Sequence, residues 1–191
     1  MDLSKKVLPA CVTVGGEQYK IKTDYRFYIE LWRLLKNKEQ DLTVYDFLYI
    51  DEKPADRAAG FNEILKFYAP ERKLPRQTGD DRKDPVIDYD VDADLIYSAF
   101  MREYKIDLIT TDLHWHKFLA LLAGLKDSKL TDVIGFRLYE NKSGRDDEYN
   151  KHLEELKEAW ELDSDNVIEA TDKEIADALA KYNAWERGER K

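Results

Sequence analysis

A chain of 191 residues can bury one ordinary core, or one core with an appendage. Its formal net charge of -9 and the lack of any long Lys/Arg run argue against a nucleic-acid footprint, and no stretch reaches the roughly 20 apolar residues of a membrane span. A single cysteine, Cys11, cannot form an internal disulfide, and the N-terminus has no signal-peptide run, so cytosolic synthesis without a membrane anchor is expected.

The first element is a hairpin. Two alternating runs, from Cys11 and from Glu17, flank Gly15-Gly16, a pair suited to a tight turn between strands. Thr23 or Asp24 then caps a helix to about Lys36, whose Phe27, Leu31, Leu34 and Leu35 recur at helical spacing with Tyr28 and Trp32 beside them. A short helix started by Asp41 or Thr43 is expected between Leu42 and Ile50, and Pro54 suits the first turn of a helix from Ala55 to Tyr68 with Phe61, Ile64, Leu65 and Tyr68 inward. From about 70 to 86 mixed charges and prolines leave almost nothing to bury, as in a mobile loop.

The alternation of Asp88, Asp90, Asp92 and Asp94 looks like half a calcium loop. The sixth and twelfth positions of such a loop hold Ala93 and Ala99 instead of glycine and glutamate, so the acids are expected to cap a helix bearing Leu95, Ile96, Ala99, Phe100 and Tyr104. The most apolar stretch, 106–125, follows. Thr111 or Asp112 can cap its helix, Leu113, Trp115, Phe118, Leu119, Leu121 and Leu122 surround the axis, and Gly124 is the expected left-handed stop. Ser128 or Asp127 caps a further helix with Leu130, Val133, Ile134 and Leu138. After a loop at 141–147, Tyr149, Leu153, Leu156 and Trp160 make a stripe on a strongly charged helix. Thr171 to Glu174 reads as a capping box for a last helix carrying Ile175, Leu179 and Tyr182. This order predicts a mainly α fold, a helical bundle around a central buried helix at about 112–124 with a small N-terminal β-hairpin. It would form one domain over 1–162 and a C-terminal helical extension over 163–191.

Chemistry-bearing motifs are scarce. His114 and His116 could share a metal if extended, but on a helix their rings would point roughly 200° apart, so neither a metal centre nor a metal-dependent enzyme is expected. The serines lie in no nucleophile context, no phosphate-binding loop occurs, and Cys11 falls inside a strand, so no catalytic residues and no cofactor are assigned. The chain is rich in rings, with 12 Tyr and 4 Trp. Such residues anchor interfaces, and Tyr45, Tyr49, Tyr149 and Trp160 are the candidate partner contacts.

Four segments together are distinctive: the run from Thr23 to Leu31, the run from Asp90 to Phe100, Tyr104-Lys-Ile-Asp-Leu with Leu113-His-Trp-His-Lys-Phe and the residues to Leu125, and Lys129 to Arg137 ending in Gly-Phe-Arg. In these the chain resembles the bacteriophage gene-product-fifteen family from about Glu17 to Leu162, with His-Trp-His where the family commonly shows His-Trp-Trp. Genes of that family lie in tail modules between the major tail protein and the tape measure protein. The resemblance therefore implies a non-catalytic tail-assembly chaperone in the host cell cytoplasm, whose partner is the tape measure protein or another phage tail protein. The alternative is a structural virion component, such as a tail-completion or connector protein. Homo-oligomerisation is an option the sequence leaves open.

Overall fold

The structure is a computed structural model that describes residues 4, 6–70, 86–141 and 147–162. The loop expected at about 70–86 lies almost wholly outside these residues, and the extension expected over 163–191 lies wholly outside them. Among the described residues the chain is mainly helical with a two-stranded N-terminal hairpin, as expected. They fall into two compact units, one made of residues up to 70 with 113–116, the other of 86–112 with 117–162.

In the first unit, β1 (Cys11–Val14) pairs antiparallel with β2 (Glu17–Lys20), placing Val12 opposite Tyr19. Gly15 and Gly16 have φ of 59° and 90°, the two positive values that a two-residue turn matched to strand twist requires. Helix α1 (Tyr25–Lys36) is capped by Asp24, whose carboxylate accepts from the Arg26 backbone N–H at 3.0 Å. Its buried face is Tyr25, Tyr28, Leu31 and Trp32. Phe27, Leu34 and Leu35 are only half-buried, so the inward face is rotated from the expected stripe toward the aromatic residues. The cause is tertiary, because the rings that need cover, Phe67 and Trp115, lie against Tyr28 at 5.2 and 5.4 Å.

A 3₁₀ helix (Leu42–Leu48) follows, capped by Asp41. Helix α2 (Arg57–Tyr68) starts two residues later than expected, because Asp56 supplies the cap by accepting from Ala59 N–H. Pro54 therefore stands before the helix. It is buried, and its Cγ lies 2.5 Å from where a Cβ on Gly60 would fall. Asp46 of the 3₁₀ helix takes the Arg57 guanidinium at 2.8 and 3.2 Å.

In the second unit, α3 (Ala93–Tyr104) follows a turn in which the Asp88 carboxylate accepts from the N–H groups of Asp90 and Val91, both at 2.9 Å. Asp92 occupies the cap position without capping. Its buried carboxylate receives both ends of the Arg137 guanidinium at 2.7 and 2.9 Å, together with the Asp88 N–H at 3.0 Å.

Helix α4 (Trp115–Gly124) begins three residues later than expected, and the division between units falls inside it, after His116. Leu113 and His114 are extended instead, pairing with the lead-in to α1: Tyr25 N–H donates to the Leu113 carbonyl and Trp115 N–H to that of Thr23. Gly124 is the last helical residue and does not have the expected left-handed backbone. A Cβ there would lie 3.0 Å from the Tyr104 hydroxyl, which donates to the Leu121 carbonyl, and the left-handed residue in this turn is Asp127. Phe118 is fully buried and stacks on Phe100 at 5.3 Å.

Helix α5 (Lys129–Arg137) carries a capping box between Ser128 and Thr131. It packs on α6 (Glu148–Trp160), which Asp147 caps, with Lys129 Nζ 5.2 Å from the centre of the Trp160 ring.

Two substitutions test these packings by chemical denaturation. Arg137→Met leaves the Asp92 carboxylate buried without its cation and is expected to cost about 3–5 kcal/mol, part of it recovered by Asp92→Leu in the same chain. Gly60→Ala is expected to cost about 1–3 kcal/mol despite alanine's better helix propensity, because the proline ring must move.

Candidate functional site

The extended backbone at Leu113 and His114 brings the two histidines together. A regular helix would separate their rings, but His114 precedes the first turn of α4, and the ring centres stand 5.1 Å apart. The expectation that they face apart is corrected by this change of local backbone. His114 Nδ1 accepts from the His116 backbone N–H at 3.0 Å, so the imidazole itself caps α4. Its Nε2 lies 2.9 Å from the Pro9 carbonyl, and His116 Nε2 lies 2.8 Å from the Phe67 carbonyl. A carbonyl can only accept, so both Nε2 atoms carry the proton. Three of the four ring nitrogens are thus committed to backbone groups. Among the described residues no group of three or more His, Cys, Asp and Glu is placed to hold a metal ion.

The four rings expected to meet a partner divide by unit. Tyr45 is 3% exposed, lies tilted against Phe61 with ring centres 4.3 Å apart, and donates its hydroxyl to the Glu39 carbonyl. Tyr49 is also buried, edge-on to Tyr19, and its hydroxyl has no hydrogen-bond partner. Burial pushes both phenols up to about 12. These two rings belong to the core of the first unit and present no face to a partner. Tyr149 and Trp160 lie on α6 of the second unit. Tyr149 is 71% exposed, while Trp160 is half-buried under Lys129 and gives its carbonyl to Arg137 Nε at 2.7 Å.

Helix α6 has no fully buried residue, and besides Tyr149 it exposes Glu148, Glu154, Glu155 and Glu158 together with Lys151, His152 and Ala159. Such a surface can bind by contact and charge. Ser98 donates to the Leu95 carbonyl, Ser128 closes its capping box, and Cys11 stands in β1. Sequence reasoning missed the exposed apolar residues Val7, Val91 and Ile109. Val91 was hidden inside an acidic run that reads as a cap, and the other two sit outside any periodic element, where hydrophobic spacing carries no signal.

The family described as Bacteriophage Gp15 protein has a profile that matches residues 4–162. No curated protein and no solved structure matches the chain. No helix among the described residues is long and apolar enough to cross a membrane.

The two buried tyrosines differ in one testable respect. Tyr49→Phe removes an unpaired hydroxyl and is expected to leave the unfolding midpoint unchanged or raised, whereas Tyr45→Phe breaks a bond to Glu39 and is expected to cost about 1 kcal/mol. Equal losses in thermal denaturation would contradict the assignment.

Proposed function

The chain belongs to the Bacteriophage Gp15 protein family, and from that premise we propose that it is a non-catalytic tail-assembly chaperone that binds the tape measure protein in the host cytoplasm. The observation that carries this reading is the family match over 4–162, joined to the placement of the phage-like segments. A tape measure protein is a long helical chain whose apolar faces stay uncovered until the tube forms around it. A partner that masks those faces keeps it from aggregating.

Helix α6 is the contact surface in this proposal. Tyr149 offers an exposed ring beside carboxylates, the combination that seats on an amphipathic helix carrying apolar and basic residues. Tyr45 and Tyr49 take no part, being buried.

Co-expression with the neighbouring tape measure protein is expected to bring that protein into the soluble fraction as a complex. Tyr149→Glu should weaken the complex about tenfold without changing the unfolding midpoint, since the ring is exposed. Absence of association at micromolar concentration overturns the proposal. Mass spectrometry of purified particles adds a second check: an assembly chaperone is absent from the finished virion, and its presence in stoichiometric amount would identify a structural component.

A further inference from the structure

The first unit is completed by four residues that arrive late in the chain. It runs as far as Pro70 and takes in Leu113–His116 only after the whole of α3 has gone to the second unit. Main chain and side chains both hold this arm. Tyr25 N–H donates to the Leu113 carbonyl at 2.9 Å, Trp115 N–H to the Thr23 carbonyl at 2.7 Å, and Leu113 N–H to Asp24 Oδ2 at 3.0 Å. Trp115 is 1% exposed between the Tyr28 and Tyr68 rings, and its indole N–H donates at 2.7 Å to the carbonyl of Tyr68, 47 residues earlier. Removing the arm would take the central ring out of the core and strip these donors from the Thr23 and Tyr68 carbonyls, so residues up to 70 do not make a finished unit by themselves.

Between the part that receives the arm and the part that carries it, the chain passes only once, through residues 71–85. Everything from Val86 onward, the arm included, can therefore be handed to a neighbouring molecule as one piece. We propose that the chain forms a reciprocal dimer, in which Leu113–His116 of each copy completes the first unit of the other. This inference stands on the placement of the arm and is independent of the tail-assembly reading.

The exchange keeps every bond named above and changes only which molecule supplies it, so its cost is that of association and not of lost packing. A connection of fifteen residues spans at most about 50 Å, enough to reach a neighbouring copy. Connections of this size give a chain's own arm an effective concentration on the order of millimolar, and a second copy competes for the same place once the chain reaches that range. The exchanged pair comes apart only when Trp115 is drawn out of a closed core. Monomer and dimer therefore interconvert at the pace of unfolding, far more slowly than two molecules joined by surface contacts.

Refolding the full chain from denaturant at about 1 mM should give a dimer that persists for hours after dilution to about 10 μM, whereas refolding at about 10 μM should give monomer. Gel filtration with light scattering reads both. The absence of a dimer, or a dimer that dissociates within minutes of dilution, overturns the proposal. A disulfide then identifies which chain supplies the arm. Asp24 and His114 are partners in an antiparallel bridge, and the two bonds flanking them make theirs the closely spaced, non-hydrogen-bonded kind of pair. In a chain carrying Cys11→Ser, Asp24→Cys and His114→Cys, the two thiols should join separate chains after concentrated refolding and close within one chain after dilute refolding, as read on a denaturing gel without reductant. Either cysteine alone should give no covalent dimer. A dimer whose disulfide closes within each chain refutes the exchange, and the wild-type dilution experiment holds whether or not the substituted chain folds.

Discussion

Arg137 holds the second unit together because a buried guanidinium leaves the chain little choice about what surrounds it. Its side chain is 5% exposed, and its N–H groups must all find acceptors or the cost of desolvation is not offset. The acceptors come from three separated places: the Asp92 carboxylate at the head of α3, the Val86 carbonyl before it, and the Trp160 carbonyl at the end of α6. One residue at the end of α5 thereby sets where three other segments stop or start. Asp92 gives up the usual task of a cap residue to meet it, and Asp88 takes over the turn instead. The Gly-Phe-Arg and Asp-rich segments that make the chain recognisable are thus the two halves of a structural pair.

The first unit depends on rings in a comparable way. Trp115 lies between Tyr28 and Tyr68, each 5.4 Å away, and its indole N–H donates to the Tyr68 carbonyl. Tyr28 donates to Lys22 and Tyr45 to Glu39. Each large ring fills the core with its body and satisfies a free carbonyl at the end of an element with its polar tip. Much of the aromatic content that suggests an interface is therefore structural. Among the described residues the exposed ring is Tyr149, on a helix that also exposes Glu148, Glu154, Glu155 and Glu158, and the functional proposal therefore rests on α6.

Local chemistry was legible residue by residue. Gly15-Gly16 demands a tight hairpin because only glycine accepts both positive φ values cheaply, and Asp24, Asp41 and Ser128 cap because their oxygens reach N–H groups two or three residues ahead. The mainly α class with its N-terminal hairpin follows from such short-range rules and from periodicity. The candidate site was legible only in part: the stripe on α6 could be read from spacing, but the burial of Tyr45 and Tyr49 could not.

The tertiary structure decided everything that depends on a partner far along the chain. Leu113 leaves the helical pattern because Asp24, 89 residues earlier, takes its N–H, and that single diversion shortens α4 and brings His114 beside His116. Pro54 leaves the first turn of α2 for the surface of Gly60, and Gly124 is small to make room for Tyr104, not to turn left-handed. Periodicity assumes that one backbone state continues through a segment, and caps are chosen among nearest neighbours. A bond that closes a loop of tens of residues competes with both rules, and it wins where the group it satisfies would otherwise be buried without a partner.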